Sequence, residues 1–472
     1  MNATPLITIA ERAGARVVGI EKLERLEEVQ VTGFIHDSRQ VRVGDVFVAL
    51  EGRNTDGHKF LKHARDKGAV AALVKKGNNW EEVAGLVLLE CEDPLASLQR
   101  VARWWRGELK AVVIAISGCS GKTSTKRMLA SILKKAGSVT STPGNWNNQI
   151  GLPLTILNAC REDEYAVWEL GSNRPGEIAE LARIARPMFS IVTNIGTAHI
   201  EFFGNRMGIA LEEGSVFSET AKEGGCFYPG RDDFADTLEW LAGERARPVY
   251  LDAGDPSAKD IRNGVDGIRF VLNMRGRGHA VRLKQPGRHI VMDSLLATAV
   301  AMQMGMDGER IVQGLEESSP EDGRMVVKNI GGVWFWDDSY NANPESMIAG
   351  LRSMKDVEGT GFKRIAVLGR MGELGEYLNE GNRRVGMEAA RCCDVLVCVG
   401  EGTEGIAAAG RMKGMENVWE VRDVEGAVGI LCSIVRKGDL VLVKGSRMAK
   451  MERVFTLLEE RLGGEDSQGK EA

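Results

Sequence analysis

The sequence has little of several features that mark large classes of protein. Its 472 residues include only 12 prolines and 6% aromatic residues, and 61 basic residues against 66 acidic ones give a formal net charge of -5. Proteins that bind duplex nucleic acid carry a basic excess, so nucleic acid is a poor candidate partner. No stretch reaches the roughly 18 apolar residues that a membrane-spanning helix needs, so we expect no insertion into a membrane.

The cysteines are few for the length of the chain and lack a pattern. The eight residues are scattered and form neither CxxC pairs nor a dense framework. Metal sites and secreted disulfide scaffolds have such patterns, so we expect free thiols in a reducing compartment. The first residues also lack the basic segment and apolar core of a secretory signal. Together these absences predict a cytoplasmic protein.

The chain has the composition of an ordinary globular protein, with 43% hydrophobic and 27% charged residues. At about 150 residues per domain, its length predicts three domains. We place them at residues 1–108, 109–320 and 321–472, with a polar and disordered tail from about residue 463. In the first, β-like runs at 46–50 and 69–74 flank a helix-like stretch, which predicts a small α/β recognition domain.

The central and last parts alternate between β-like and helical patterns. An apolar run at 111–117 predicts a buried strand, and it leads through a glycine loop into a helix over 122–135. Residues 224–287 are expected to be less regular and rich in turns. From residue 323, four further strand-like runs separated by helical patterns predict a small doubly wound domain: 333–340, 364–369, 394–400 and 439–446.

The strongest chemical signal is the loop Gly118-Cys119-Ser120-Gly121-Lys122-Thr123, followed by Ser124. Its backbone N–H groups and the start of the following helix can hold a polyphosphate. Lys122 can reach the terminal phosphates, and the Thr123 hydroxyl can bind Mg²⁺. The loop therefore predicts ATP binding. The full GxxxxGK[ST] pattern would need glycine at Ile116, so a chance match is the alternative, and the strand and helix on either side weigh against it.

The shorter GxxGK[ST] form resembles the loop of the Mur ligase superfamily, whose members form amide bonds at the expense of ATP. Further segments resemble the same family in the same order: 141–157, 169–178, 193–204, 337–347 and 442–447. The segment TPGNWNNQIGLPL is closest to the members that form the pentapeptide, and residues 35–60 look like their uridine-nucleotide-binding domain. The resemblance spans about residues 31–455 and covers all three predicted domains.

This resemblance implies an α/β fold in three domains: a small N-terminal UDP-binding domain, a central P-loop domain with a parallel sheet, and a C-terminal doubly wound, Rossmann-like domain. It implies that ATP and Mg²⁺ serve a ligase that adds D-alanyl-D-alanine to UDP-MurNAc-tripeptide through an acyl phosphate. A monomer is the family expectation. Two alternatives stay open: a ligase with another amine acceptor, such as a folylpolyglutamate-type enzyme, and a non-ligase ATP-dependent binding or regulatory protein.

The resemblance also implies a set of metal ligands. Glu169 lies at a strand end where ligands gather in an open α/β sheet, and the family places a magnesium ligand there. His199 corresponds to the ligand of a second metal ion. Taken alone, Glu169 could be a solvated carboxylate and His199 a core histidine. With Thr123 they form the expected metal site, and Lys122, Glu169, His199 and Lys444 form the expected catalytic set.

One position departs from the family pattern. Mur ligases usually carry a lysine in a motif like AxxKGxxF, and its carbamylated form bridges the metals. Here the segment reads Ala210-Leu211-Glu212-Glu213-Gly214-Ser215-Val216-Phe217, with Glu213 at the lysine. We expect its carboxylate to replace the carbamate as a metal ligand, without dependence on CO₂. The alternative is a solvated helix residue.

The remaining candidates lie in loops of all three domains. For ATP they are Arg324, Asp338, Tyr340 and Asn341, although DDSYNANP could also be a purely structural turn. For the substrates they are Ser38, Arg39, Asp56, Gly57 and His58 at the UDP end, Asn145, Asn147 and Asn148 near the phosphate loop, and Ser446 and Arg447 near Lys444. The asparagines could instead shape a turn, and Arg39 could be a solvated surface residue.

Further departures from the family concern the adenine side of the nucleotide. A segment of the type NxDD reads Gly230-Arg231-Asp232-Asp233, and a helix asparagine is replaced by Asp293. The family's LGDM reads LGRM with Arg370, and a following histidine is replaced by Asn382. We expect the adenine contacts to differ accordingly.

Overall fold

Parallel β-sheets flanked by helices succeed one another along the chain. The structure is a computed structural model that describes residues 1–18, 24–52, 55–77 and 83–462. The predicted disordered tail therefore lies outside the described residues. Within them, no helix is both long and apolar enough to cross a membrane.

The first unit has a sheet in the strand order β2-β7-β6-β5-β4, in which β2 pairs antiparallel to β7 and the others are parallel. The predicted runs at 46–50 and 69–74 appear as β5 and β6, which are buried almost throughout. The elements are β1 Thr4–Pro5, α1 Leu6–Ala13, β2 Arg16–Val18, α2 Glu24–Glu28, β3 Gln30–Val31, β4 Gly33–Ile35, β5 Asp45–Val48, α3 Leu61–Asp66, β6 Ala71–Lys75, β7 Val87–Cys91 and α4 Pro94–Glu108.

Helix α4 joins the first unit to the second. Asp93 caps it by accepting hydrogen bonds from the backbone N–H groups of Leu95 and Ala96, and Pro94 occupies its first turn. Its apolar side packs against α1 of the first unit and against α6 (Gly151–Leu157) of the second. Because α4 contacts both units, the boundary after residue 108 stays a prediction.

The second unit has a parallel sheet in the order β13-β12-β11-β8-β10-β9. Its central strand β8 is the predicted apolar run, and the helix predicted over 122–135 appears as α5. The elements are β8 Val112–Ser117, α5 Lys122–Leu133, β9 Val139–Ser141, α6 as above, β10 Tyr165–Glu169, α7 Glu177–Ala185, β11 Phe189–Val192, α8 Ile200–Phe203, α9 Arg206–Gly214, β12 Gly225–Pro229, α10 Ala235–Ala242, β13 Ala246–Val249, β14 Ser257–Gly264, β15 Gly267–Met274, β16 Arg277–Leu283, α11 Arg288–Gln303 and α12 Gly308–Glu317.

The expectation of an irregular segment over 224–287 was wrong. It contains β12, α10 and β13, followed by the antiparallel sheet β14-β15-β16. Buried and exposed positions alternate along β15, where Phe270 and Leu272 face the core and Arg269 faces solvent. In the sequence, the apolar Val271 at a half-exposed position of β15 and the mostly polar run of β14 blur this alternation.

The third unit is doubly wound, with strand order β17-β18-β22-β19-β20-β21 and only the edge strand β17 antiparallel among the described residues. All four predicted strand runs are confirmed, as β18, β19, β20 and β22. The elements are β17 Val326–Ile330, β18 Val333–Asp338, α13 Pro344–Lys355, β19 Arg364–Gly369, α14 Leu378–Cys392, β20 Val395–Val399, α15 Glu404–Met412, β21 Val418–Val421, α16 Val424–Ile434, β22 Leu440–Lys444 and α17 Arg453–Leu462.

The carboxyl ends of the central strands of the second and third sheets face a common cavity. Strands β8 and β10 end there at Ser117 and Glu169, and β18 and β22 end there at Asp338 and Lys444. Open parallel sheets present their ligand sites at this edge. The predicted chemistry therefore lies between the second and third units.

Candidate active site

A glycine loop connects β8 to α5 and bends sharply at two residues. Gly118 and Gly121 have φ angles of +120° and +82°, a region that favours glycine. A Cβ at Gly118 would collide with the side chain of Thr193, and one at Gly121 would lie 2.5 Å from Oδ1 of Asp293. Lys122 folds back over the loop and donates a hydrogen bond to the carbonyl oxygen of Gly118.

Residues after β11 hold this loop in place, and the sequence analysis did not single them out. Asn194 donates through Nδ2 to the carbonyl oxygen of Ser120 at 2.9 Å and accepts from the Ser120 N–H at 3.2 Å. Asp232 in turn accepts from the N–H of Ile195 at 3.0 Å. Asp232, which the segment at 230–233 shares with the NxDD pattern, therefore fixes the neighbouring loop.

The carboxylate of Glu169 is the most completely surrounded group of the site. Its Oε2 accepts from the Thr123 hydroxyl at 2.9 Å, and its Oε1 accepts from Nδ2 of Asn147 at 2.8 Å. Nζ of Lys126 lies 3.2 Å from Oε2, and this ion pair is almost fully buried. Burial alone would raise the pKa of Glu169, but the charges of Lys126 and Lys122 outweigh it and lower that pKa. Glu169 is therefore an anion.

The sequence analysis missed Lys126. It lies four residues after Lys122, so both lysines project from neighbouring positions on one side of α5. That spacing was the available signal. A lysine inside an apolar helix face near a phosphate loop calls for a buried carboxylate partner.

Glu213 is buried, so the alternative of a solvated helix residue was wrong. Its Oε2 accepts from the N–H of Gly118 at 2.7 Å, which puts a carboxylate against the phosphate loop. Burial raises the pKa of Glu213, and the charge of Lys122 opposes that rise. The preceding Glu212 has a different role, because it accepts from the N–H groups of Gly176 and Ile178 at 2.6 and 2.9 Å.

His199 meets the third unit directly. Its Nδ1 lies 2.6 Å from Oε2 of Glu373, which follows β19. A hydrogen bond from His199 lowers the pKa of Glu373. The alternative, a histidine buried in the core, was wrong. A quarter of the His199 side chain is exposed, and the residue lines the cavity.

The ATP candidates of the third unit line the same cavity. The guanidinium of Arg324 lies over the ring of Tyr340, 4.1 Å from its centre. Lys444 is buried and contacts Oδ2 of Asp338 at 2.5 Å and the carbonyl oxygen of Asn341 at 3.0 Å. These contacts fix the loop after β18 against the end of β22.

The first turn of α13 bridges the two units. Asn343 caps the helix and donates to Oγ of Ser120 at 3.2 Å. Oε2 of Glu345 accepts from the N–H and the hydroxyl of Thr197 at 2.9 and 2.6 Å. The segment DDSYNANP therefore starts a helix and forms part of the cavity wall.

The three asparagines near the loop differ in their contacts. Asn147 binds Glu169, and Asn145 lines the cavity. Asn148 accepts from the N–H groups of Ile150 and Gly151 at 3.1 and 2.9 Å, so its carbonyl oxygen shapes the turn before α6. The turn alternative thus holds for Asn148.

Asp293 lies beneath the phosphate loop. It is buried next to Gly121, and its Oδ2 has no hydrogen-bond partner among the described residues. Burial raises its pKa well above the ordinary value. Burial therefore favours the neutral form of this carboxyl group.

The candidates of the first unit lie apart from this cavity. Ser38 contacts Nδ1 of His63 at 3.0 Å, and Arg39 is largely exposed and pairs with Asp37 at 2.7 Å. Asp56 caps a short turn, accepting from the N–H of His58 at 3.0 Å.

Two neighbours in that turn have structural contacts. A Cβ at Gly57 would lie 2.8 Å from the backbone N of Leu50. Nε2 of the buried His58 accepts from the N–H of Lys75 at 3.0 Å. Gly57 and His58 thus fix the turn onto the sheet.

Trp146 connects the first unit to the catalytic loop. Its ring packs edge-to-face on His36, with centres 6.2 Å apart, and the next residue, Asn147, binds Glu169. The sequence analysis did not single out this tryptophan.

The cavity has a volume of about 550 Å³ and brings most candidates together. Of the predicted residues it is lined by Cys119, Ser120, Gly121, Lys122, Thr123, Ser124, Asn145, Asn147, Asn148, Glu169, His199, Glu213, Arg324, Asp338, Tyr340, Asn341 and Lys444. Ser446 and Arg447 are not part of the lining. Ser446 is buried, and Arg447 is exposed with Glu452 at 3.4 Å.

The residues present suit a magnesium ion at one position. Thr123 and Glu169 offer a hydroxyl and a carboxylate oxygen, and Mg²⁺ commonly takes one or two protein ligands together with phosphates and water. A group of three or more His, Cys, Asp or Glu side chains ready to hold a metal is not found among the described residues. His199 and Glu213 therefore do not form a preassembled second site with Glu169.

Family models match each of the three units. A Mur ligase family catalytic domain matches residues 30–102, a Mur ligase middle domain 116–301, and a Mur ligase glutamate ligase domain 323–447.

Named relatives match over the whole length. A UDP-N-acetylmuramoyl-tripeptide--D-alanyl-D-alanine ligase of Treponema pallidum is 34% identical, covering 90% of this chain and 93% of the relative. A crystal structure of MurF from Acinetobacter baumannii is 28% identical with a TM-score of 0.86, covering 98% of this chain and 100% of that one. MurF of Thermotoga maritima in complex with ADP is 28% identical with a TM-score of 0.81, covering 92% and 99%.

Replacement of Lys126 by methionine should strongly destabilise the chain. Methionine keeps the aliphatic length but leaves Glu169 buried without its nearest cation, which costs about 3–5 kcal/mol. Urea denaturation followed by circular dichroism measures the loss. Lys135→Met is the matched control, since its partner Glu317 is half exposed and such surface pairs contribute below about 1 kcal/mol. Equal losses for both variants would contradict the role of the buried pair.

Replacement of Asp293 by asparagine should stabilise the chain in a pH-dependent way. Because its pKa is raised in the folded state, the folded chain holds a proton that the unfolded chain releases above about pH 4, so stability falls as the pH rises. Asparagine does not titrate, so the variant does not lose stability in this way as the pH rises. Melting temperatures should favour Asp293→Asn clearly at pH 8 and by less at pH 4.5. A difference independent of pH would speak against the neutral carboxyl.

Proposed function

The chain belongs to the Mur ligase family, and on that premise we propose that it is the ATP-dependent ligase that joins D-alanyl-D-alanine to UDP-MurNAc-tripeptide in peptidoglycan precursor synthesis. The observation that carries the proposal is the single cavity in which a phosphate loop, an ionised Glu169 and cations of two units meet. The products are UDP-MurNAc-pentapeptide, ADP and phosphate.

The phosphate loop binds ATP. Its backbone N–H groups lie at the start of α5, where the helix dipole favours negative charge, and Lys122 is within reach of the terminal phosphates. Arg324, Asp338, Tyr340 and Asn341 hold the nucleotide from the third unit. The printed title of the Thermotoga maritima neighbour, a complex with ADP, supports this assignment.

Activation of the carboxylate is the first chemical step. An oxygen of the tripeptide carboxylate attacks the γ-phosphorus of ATP, the bond from that phosphorus to the β–γ bridging oxygen breaks, and ADP leaves. Two anions must approach each other, so positioning and neutralisation of charge carry most of the catalysis. Lys122 supplies positive charge at the phosphates, and Asn147 and Asn145 orient the incoming carboxylate.

A magnesium ion belongs to the proposal. Thr123 and Glu169 would hold it, and when bound it supplies charge neutralisation at the phosphates. Lys126 keeps Glu169 ionised and correctly placed for that purpose. Glu213, and His199 across the cavity, are proposed to serve a second ion.

Amide formation is the second step. The amine of D-alanyl-D-alanine attacks the acyl carbon, and the carbon–oxygen bond to phosphate breaks. Phosphate leaves with the electron pair and takes up the proton that the amine nitrogen loses. Lys444 lies where it can stabilise the developing negative charge, and Ser446 and Arg447 beyond it hold the dipeptide. The contacts of Asn343, Glu345 and Glu373 with the second unit close the cavity and keep water from the acyl phosphate.

The UDP end of the substrate binds the first unit, at Ser38 and Arg39 with the turn of Asp56, Gly57 and His58. The contact of Trp146 with His36 gives a continuous surface from there to Glu169. The folylpolyglutamate-type and the regulatory alternatives are not favoured, because relatives at 34% identity are named as D-alanyl-D-alanine ligases. We further propose a cytoplasmic monomer.

A turnover assay tests the function. Purified chain with ATP and Mg²⁺ should release phosphate only when UDP-MurNAc-tripeptide and D-alanyl-D-alanine are both present, and mass spectrometry should detect the pentapeptide. Lys122→Ala should lower the rate by about a hundredfold or more, because an electrostatic contact to the transferred phosphate is lost. Phosphate release that depends on neither substrate would refute the ligase function. A requirement for another amine would indicate a ligase with a different acceptor.

Glu213 should make the enzyme independent of carbon dioxide. We expect Glu213→Ala to lower kcat by about tenfold or more, because the carboxylate that would hold a cation against the phosphates is lost. The wild-type rate should be the same in buffer stripped of CO₂ and in buffer with bicarbonate. Glu213→Gln, which keeps the shape and loses the charge, separates the two contributions. Normal activity and magnesium dependence in Glu213→Ala would disprove the assignment.

A further inference from the structure

A second crevice opens between the second and third units, on the other side of α13 from the catalytic cavity. It has a volume of about 570 Å³. One wall is the start of α11, with Arg288 and His289, and the other is formed by α13 and α14. A ligand in this crevice would therefore touch both units.

The crevice is lined by an excess of guanidinium groups. Five arginines face it against three carboxylates, a surplus of two positive charges. The arginines are Arg288, Arg352, Arg383, Arg384 and Arg391, and the carboxylates are Glu345, Asp356 and Glu388. His289 adds no charge at neutral pH, because burial lowers its pKa to about 4.

The ion pairs present leave part of this charge unbalanced. Glu388 is shared between Arg352 at 2.8 Å and Arg391 at 3.4 Å, so one carboxylate serves two cations. Arg383 forms an ion pair with Glu380 at 3.4 Å, and both side chains are more than half exposed. No ion pair of Arg288 is found within the described part of the chain.

We propose that this crevice binds a small molecule that carries a diphosphate group. Arginine forks match phosphate oxygens in pairs, and several of them around one crevice suit adjacent phosphates better than a single carboxylate. The volume is that of a pocket for a small ligand. The site is distinct from the catalytic cavity and does not depend on the proposed ligase reaction.

The two sites share a wall, which couples them. Glu345 and His289 line both, and Glu345 receives Arg384 at 3.0 Å on one side and Thr197 on the other. An anion that draws the arginines of α13 and α14 toward Arg288 holds the third unit against the second. The ligand thus favours the closed arrangement in which the catalytic residues meet.

Isothermal titration with inorganic pyrophosphate in magnesium-free, low-salt buffer tests the site. The phosphate loop also binds phosphates, so the titration uses the full chain with Lys122→Ala, which should still bind one equivalent. Adding Arg288→Gln and Arg383→Gln should weaken that binding by about tenfold or more, because two charge-assisted contacts are lost. Neither arginine belongs to the ion pairs of Glu345 or Glu388.

Arg310→Gln in the same background is the matched control. Arg310 pairs with the acidic residue three positions before it and is as exposed as Arg383, but it lies on α12. The chain with Lys122→Ala and Arg310→Gln should bind pyrophosphate with the same affinity as the chain with Lys122→Ala alone. Circular dichroism checks that each variant is folded. If the variant with both Arg288→Gln and Arg383→Gln unfolds, the variant with Arg288→Gln alone replaces it. Absence of binding to Lys122→Ala, or equal weakening by Arg310→Gln, would overturn the proposal.

Discussion

The active site depends on one buried ion pair, between Lys126 and Glu169. Burial without a cation would favour the neutral form of Glu169, which leaves one good acceptor oxygen for the two donors, Thr123 and Asn147. The lysine comes from the same helix as the phosphate loop. The ion pair thereby fixes the strand that ends in Glu169 to the helix that begins at Lys122, next to the phosphate loop.

Closure of the third unit over the second uses polar contacts that are individually modest. Asn343, Glu345 and Glu373 each bind one short segment of the second unit. Contacts of this kind contribute about 0.5–1.5 kcal/mol each. A few of them favour the closed arrangement of the two units and can still be broken. A ligase that must admit three substrates and release three products requires such a reversible contact.

Much of this arrangement could be predicted from the sequence. Long apolar runs before glycine loops gave the strands of the second and third units, and the motifs identified most residues of the cavity. The antiparallel sheet over 257–283 was missed, because Val271 is apolar at a half-exposed position and the first strand of the sheet is mostly polar. Lys126, Asn194 and Glu345 were missed for another reason: each contacts a residue that is distant in sequence, and a local pattern does not identify that partner. Glu213 was found only because a motif made its position unusual.

Trp146 and Asn147 are adjacent in the chain and face different units. The tryptophan packs on His36 of the first unit, and the asparagine holds Glu169 in the second. The loop that carries them cannot shift on one side without moving the other. The first unit is consequently not an exchangeable module: a chimera that borrows this unit from another family member would have to take the loop at 141–150 with it, and evolution of substrate range in the first unit is tied to the geometry of catalysis.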